Sequence, residues 1–421
     1  MTPRLLTRLF TVAGLAVAWA PAAWSLDLAK AYELALAQDA QVRAARAAAD
    51  VGRERLPQAR AQLLPSLSAQ STRARNTLDT TAPDLFGRES TTNSRYRSEG
   101  DVLSLRQPII RPGLWAQYRQ ARHVVADAEA VLAVETQNLA VRVTQLYFQA
   151  LLSQDQLDAV RQQQQAFTAQ LEAARRSLEA GVGTRTDIDE ARARLDLANA
   201  QELELRQGLD AARRELSLMI NQPVDTLAAV SPRQLALVPP VPDSMDGWLQ
   251  RAEESNAELR SLRARLEAAR EEVSKARSGH APTLDATAQV SRSVSENITR
   301  INTTYEQKQV ALQLTIPLYQ GGYVNSQVRE ALARQEQAEN LLEAGRRDLN
   351  VRVMREFRGV SEGVLRVRAL EQAVRSAEEL VISNKRSFDA GVRTRVDILN
   401  AEQQLATARR DLAQARYLYL S

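Results

Sequence analysis

The sequence predicts a mainly α chain with a small β part, built as two tandem structural repeats. Three observations predict it. Short anchors recur in the same order in both halves, apolar residues recur every 3.5 positions over long stretches, and a few segments alternate apolar and polar residues with period two.

The chain has 421 residues, 44% hydrophobic and 25% charged, which is enough apolar content for a fold. Its 55 basic and 51 acidic residues nearly balance, so no nucleic-acid partner is expected. The absence of cysteine excludes disulfides, thiol catalysis and an acylated N-terminal cysteine anchor. His123 and His280 are too few for a histidine metal cluster within one chain. There is no phosphate-binding loop, no G-x-G-x-x-G turn and no Ser-His-acid set, so neither an enzyme nor a cofactor is expected.

Taking the elements in order, Arg4 and Arg8 precede an apolar run from Leu9 to Ala23 that ends in Ala23-Trp24-Ser25. A spanning helix needs about 20 apolar residues, so residues 1–25 read as a secretory signal. No later stretch reaches 18 uninterrupted apolar residues, so membrane entry has to use strands.

The rest is one unit twice. Asp39-Ala40-Gln41-Val42-Arg43 returns as Asn256-Ala257-Glu258-Leu259-Arg260, and Pro65-Ser66-Leu67 returns as Pro282-Thr283-Leu284, both 217 residues on. Ala180-Gly181-Val182 with Asp187-Ile188 returns 210 residues on, as Ala390-Gly391-Val392 with Asp397-Ile398. The first repeat is expected over 26–231: a helix, a hairpin at 66–107, a long helix at 114–179 and a helix at 187–219. A proline-rich linker, 232–243, precedes the second over 244–421: a helix, a hairpin at 283–317, a long helix at 323–388 and a helix at 397–420.

In the first long helix, Leu139, Val143, Leu146, Ala150, Ser153, Leu157, Val160, Gln164, Phe167, Leu171, Ala174 and Leu178 advance by alternating steps of 4 and 3. Val353, Phe357, Val360, Val364, Val367, Leu370, Val374, Ala377 and Val381 do the same in the second with one slip. This period imposes a left-handed supercoil seam. At 1.5 Å per residue, helix over 114–179 is about 99 Å long, too wide for a soluble core, and the flanking helices laid end to end nearly match it.

In the strands, Leu284, Ala286 and Val290 alternate with polar neighbours, as do Val310, Leu312, Leu314 and Ile316. That pattern suits a strand between lipid and a wet lumen, with these residues facing lipid, and equally a half-buried strand of a soluble sheet. Pro108 and Pro317 are expected to end their strands, since they cannot donate to a ladder. Four strands cannot close a membrane barrel, which needs about 8, so several chains must pool their hairpins. Twelve strands make a trimer, and the arithmetic leaves a dimer open.

The signal, the duplicated hairpin-and-coiled-helix unit and the repeated Gly-Val-x-Thr-Arg-x-Asp-Ile turn together resemble the TolC family of Gram-negative outer-membrane efflux proteins, over essentially the whole mature chain. The resemblance implies a homotrimer in which a long coiled-coil α-helical barrel continues a 12-strand transmembrane β-barrel shared between subunits. It implies a passive exit duct in the outer membrane, extending into the periplasm, that meets a periplasmic adaptor protein and an inner-membrane pump of the ABC or RND type. The missing cysteine points to the TolC or type I secretion branch rather than the lipoprotein branch. The chain stops at Ser421 without a long C-terminal segment, so the resemblance does not carry an equatorial belt over to it.

The resemblance also places a periplasmic gate at the two helix–turn–helix tips. Aligned on Gly181 and Gly391, the matching positions are Thr186 and Asp187 in the first copy and Phe388, Arg393, Asp397 and Asn400 in the second. Arg393 stands where a family arginine ties the tips together, with Asp187 as its implied partner. Phe388 replaces a tyrosine and Asn400 an aspartate, for which Glu190 is a substitute. The acids also read as ordinary helix starts, since Thr-x-Asp after a glycine turn is a start signal. Two further readings remain in view from the residues, a periplasmic adaptor (membrane fusion) protein and an exported coiled-coil scaffold.

Overall fold

A computed structural model of the chain describes residues 25–83, 86–229, 237–297, 299 and 301–421. Residues 1–24 of the expected signal and 232–236 of the expected linker lie outside the described residues. Helices α1 (Leu28–Gln38), α2 (Ala40–Arg53) and α3 (Arg55–Ala61) lead into strands β1 (Ser66–Pro83) and β2 (Glu89–Ile110), then α4 (Pro112–Glu179) and α5 (Arg185–Ile220). Helices α6 (Met245–Ser255) and α7 (Ala257–Arg277) lead through a 3-10 turn into β3 (Thr283–Val294) and β4 (Thr304–Thr315), then α8 (Tyr323–Asp389) and α9 (Arg395–Leu420).

The first pair of duplicated anchors turns out to be helix caps, and the second opens β1 and β3. The Asp39 carboxylate accepts from the Val42 amide at 2.8 Å and starts α2. The Asn256 side chain accepts from the Leu259 amide at 2.9 Å and starts α7. Each cap satisfies an amide that the first helical turn leaves unpaired. The helical stretch ahead of the first hairpin is interrupted at Glu54, between α2 and α3. Pro57 supplies the reason, having no amide to donate to the Arg53 carbonyl.

Contacts divide the chain into two compact units, and neither coincides with a repeat. One combines the described parts of Met1–Gln38, Arg142–Ala236 and Ala377–Ser421, and the other combines those of Asp39–Val141 and Leu237–Ser376. Each unit therefore draws on both copies.

In the second of these units the strands form one antiparallel sheet in the order β1-β2-β3-β4, leaving β1 and β4 as edges. One face is a ladder of apolar rows. Leu67 stands opposite Leu105, Leu105 opposite Ala288 and Ala288 opposite Val310, and in the next row Ala69, Leu103 and Val290 line up, ending on Lys308 of β4. Leu284 and Ala286 are half-buried, while Val290, Val310, Leu312, Leu314 and Ile316 are exposed, with Val310 at 85%. Strand β2 does not end at Pro108. It continues to Ile110 with a register shift between Pro108 and Ile110, and the bulge absorbs the missing donor. Strand β4 ends earlier than expected, at Thr315, so Ile316 and Pro317 lie just beyond it. On the opposite face Asp285 is buried and accepts from Arg106 at 2.8 Å and from Arg111 Nε at 3.0 Å, which ties β3 to β2 and to the residue before α4.

The helices of this unit pack through small residues and apolar layers. Leu259 and Leu266 of α7 bury against Leu342 and Leu349 of α8. Ser261 of α7 donates to Asp127 of α4 at 2.5 Å, and Arg265 pairs with the same carboxylate at 3.0 Å. Gly52 of α2 sits so close to α4 that a Cβ there would lie 2.4 Å from the Ala128 Cβ.

In the other unit the seam of α4 is buried at Val143, Ala150, Ser153, Leu157, Leu171 and Ala174. Leu146 is only half-buried, and its neighbour Tyr147 is sealed in at 2% exposure instead. Its hydroxyl lies 2.9 Å from the carbonyls of both Leu26 and Ala228. Leu26 is itself stitched to the stretch that follows α5, its amide donating to the Thr226 carbonyl and its carbonyl accepting from the Ala228 amide, each at 2.9 Å. Burial and the charge of Asp27 push the Tyr147 hydroxyl up to about 12, so it remains a donor at any physiological pH. Tyr417 of α9 donates to Asp155 of α4 at 2.6 Å, and its ring leans on Phe148 with centroids 6.0 Å apart.

Two glycine substitutions should have opposite signs in urea unfolding of the detergent-solubilised protein. Gly52→Ala should destabilise by about 1–3 kcal/mol, because α2 and α4 must separate to admit the methyl. Gly208→Ala in α5, where a Cβ meets nothing within 4 Å, should stabilise by up to ~1 kcal/mol.

Candidate functional site

Both helix–turn–helix tips close in the same way. Helix α4 ends on Gly181 and α8 on Gly391, each with φ of +77°, a conformation that costs glycine nothing and other residues strain. The Val182 amide donates to the Ser177 carbonyl at 3.0 Å and the Gly181 amide to Leu178 at 3.0 Å. In the second copy Val392 donates to Ser387 at 2.9 Å and Gly391 to Phe388 at 2.8 Å. This paired pattern satisfies carbonyls that the helix end would leave open, and lets the chain reverse within a few residues.

The next helix starts at once. Thr184 caps α5 and Thr394 caps α9, and in both a capping box forms with the acid three residues on. Asp187 Oδ2 accepts from the Thr184 amide at 3.0 Å and its hydroxyl at 2.8 Å. Asp397 Oδ2 accepts from Thr394 in the same way, at 2.9 and 2.8 Å. The residue between turn and cap differs between copies. A Cβ on Gly183 would lie 2.9 Å from backbone atoms of Ser177 and Leu178. The second copy carries Arg393 there, and its amide stands further back, 3.3 Å from the Ser387 carbonyl against 3.0 Å for Gly183 and Ser177.

Within the second tip Arg393 lies 3.6 Å from Asp397 Oδ1. Asp397 thus uses Oδ2 for the cap and presents Oδ1 to a cation. Glu190 pairs with Arg194 at 2.8 Å along α5. Thr186 and Asn400 are exposed, and Phe388 is half-buried. Asn384 of α8 donates to the Asp397 carbonyl at 3.0 Å and locks the second tip to the long helix. The matching position in the first copy is Ala174, which has no group to do this. Sequence reasoning missed Asn384, Val182 and Val392. The two valines at the turn apices are 83% and 78% exposed, a feature that only the turn geometry makes visible. Among the described residues no group of three metal-ligating side chains could hold an ion, and no helix is long and apolar enough to cross a membrane.

The Thr394 amide and hydroxyl, and then Arg393, hold the Asp397 carboxyl below the usual carboxylate range. A depressed carboxylate contributes stability that is present above its unfolded pKa and lost only as pH falls through the folded value. The first turn of α9 should therefore keep its amide protection through the ordinary carboxylate range and lose it only in stronger acid, as hydrogen exchange can report. Thr394→Ala should cost about 1 kcal/mol of local stability at neutral pH and speed exchange there.

The comparisons with known proteins agree with this architecture. The pattern described as outer membrane efflux protein matches residues 31–222 and 248–421. Proteases secretion protein PrtF of Dickeya chrysanthemi is 34% identical, over 94% of this chain and 86% of that protein. Alkaline protease secretion protein AprF of Pseudomonas aeruginosa is 35% identical, over 95% and 83%. Outer membrane protein TolC of Escherichia coli is 29% identical, over 94% and 80%. The fold is also that of the solved outer membrane protein VceC of Vibrio cholerae, with a TM-score of 0.74 at 18% identity over 93% of each chain. The outer membrane channel CmeC of Campylobacter jejuni gives a TM-score of 0.77 at 16% identity, over 93% of this chain and 83% of that one. With the family pattern filling both repeats, this chain belongs to the outer membrane efflux proteins.

Proposed function

We propose that this outer-membrane exit duct, which extends from the Gram-negative outer membrane into the periplasm, works as a homotrimer that exports polypeptides in a type I secretion system. One observation carries the assembly. The sheet exposes an apolar face and has two unpaired edges, β1 and β4, and lipid tolerates neither a lone edge nor a barrel of four strands. Three chains joining β4 to β1 of the next close 12 strands, with Leu284, Ala286, Val290, Val310, Leu312 and Leu314 towards lipid and Ile316 at the lower border. The likeness to two protease secretion proteins supports a polypeptide cargo. In this reading the duct is passive, and a periplasmic adaptor and an inner-membrane pump of the ABC or RND type deliver the cargo.

The tips form the gate. Three copies of Asp397, each already held ionised by its cap, place carboxylates around the mouth and favour cations. Asp187, Thr186, Glu190 and Asn400 line the neighbouring rim, and Phe388 packs beneath the second turn. In the closed ring Arg393 divides its charge between Asp397 of its own chain and Asp187.

The mass of the detergent-extracted protein tests the assembly first. Three mature chains, obtained only with detergent, are expected, and a water-soluble monomer refutes it. In planar bilayers Asp397→Asn keeps an acceptor for the cap while removing the charge. Cation preference should fall by a factor of about 3, as loss of ~0.6 kcal/mol of screened attraction implies. Unchanged selectivity removes Asp397 from the mouth. Arg393→Ser should raise conductance, and a channel as tightly closed as wild type counts against that link.

A further inference from the structure

The two hairpins differ in length, and the excess has a chemical character of its own. Strands β1 and β2 pair from Ser66 and Arg106 out to Pro83 and Glu89, whereas β3 stops pairing with β2 at Val294 and Glu99. Beyond that row β1 and β2 continue alone as a two-stranded ribbon. The hairpin ends that join the helices face the periplasm, so the ribbon stands on the outer side of the membrane.

Partners across an antiparallel ladder share a face, so each row can be followed outward from the apolar band. The last largely apolar row holds Ala69, Leu103 and Val290, with Lys308 completing it on β4. Above it come Ser71, Asp101, Arg292 and Glu306, and then Arg73, Glu99 and Val294. The next two rows, on the ribbon, are Arg75 opposite Arg97 and Thr77 opposite Arg95. Arg73 is engaged, lying 2.9 Å from Asp101 and 3.7 Å from Glu99. Arg75, Arg95 and Arg97 are exposed and have no ion-pair or hydrogen-bond partner among the described residues. Two like charges directly opposite on a ladder repel, and the third arginine adds to the same face. An anion bridging them removes that repulsion.

The position selects the anion. From Leu103 to Arg97 is about 20 Å of strand, or about 14 Å of height at the tilt of membrane strands. A phosphodiester at the hydrocarbon border of a glycerophospholipid does not reach that level. Phosphates on the headgroup sugars of an outer-leaflet glycolipid do, and guanidinium forks match them bidentately. We propose that Arg75, Arg95 and Arg97 form a docking face for the phosphorylated sugars of the outer-leaflet glycolipid, directly above the lipid-facing band of the sheet. The proposal rests on the outer-membrane reading and adds a specific lipid partner to it.

The test uses the full protein in mild detergent, titrated with rough lipopolysaccharide carrying its phosphates and with the same lipid after the phosphates are removed. Wild type should bind the phosphorylated form about tenfold more tightly, an advantage that high salt reduces. The triple variant Arg75→Gln, Arg95→Gln, Arg97→Gln should lose the preference, and the triple lysine variant should keep most of it. Arg346→Gln with Arg347→Gln on α8 removes arginines away from the ribbon and, as the control, should change nothing. A wild type with no preference for the phosphorylated form overturns the proposal, as does a glutamine variant that retains it. A detergent-requiring oligomer lacking the preference defeats this docking face alone, whereas a water-soluble protein defeats the outer-membrane reading beneath it.

Discussion

Backbone hydrogen bonding in lipid is the constraint on which the rest depends. Where all four strands run together, β2 and β3 have both of their ladders filled, but β1 and β4 each leave one row of amides and carbonyls without partners. In water such edges are blunted by charge or covered by a loop, while in a bilayer each open group costs several kcal/mol. One chain therefore cannot complete its own membrane part. In the proposed trimer, folding of the β region and assembly become a single event, and the β2–β3 ladder fixes the two hairpins of each chain as one rigid third of the wall.

What the duplication preserves is punctuation. Asp39 and Asn256 open helices, Gly181 and Gly391 close them, and Thr184 with Asp187 matches Thr394 with Asp397 atom for atom. These positions govern where the chain reverses, and small errors there displace everything that follows. The copies diverge around these fixed points. The first hairpin outgrows the second, Arg393 stands where the first copy has Gly183, and Asn384 adds a tie that Ala174 lacks. The second tip thus holds an ion pair between Arg393 and Asp397 and an interhelical hydrogen bond from Asn384.

Much of this was legible in the sequence because it is periodic or local. The seam of α4 and the alternation of β3 and β4 repeat at fixed steps, and the capping boxes lie within four residues. The misses have non-local causes. Tyr147 displaces Leu146 from the seam because its hydroxyl finds carbonyls at Leu26 and Ala228, 121 and 81 residues away. Strand β2 passes Pro108 because a bulge against β3 tolerates a missing donor, which proline chemistry alone does not reveal. The extra length of β1 and β2 went unread because their outer rows are polar on both faces, so period two leaves no trace.

In the proposed gate, capping and gating at Asp397 do not compete. A cap needs lone pairs, and both Thr394 donors converge on Oδ2. A cation at the mouth needs net charge, which the cap preserves, since its donors stabilise the ionised form. Oδ1 is left towards Arg393, so a single carboxylate serves the helix start and the surface charge together. Protonation would weaken both functions, and the hydrogen bonds that make the cap are what displace protonation to lower pH. A capping acid beside a channel mouth is for this reason a more dependable fixed charge than an unconstrained surface carboxylate, because the local fold keeps it both placed and ionised.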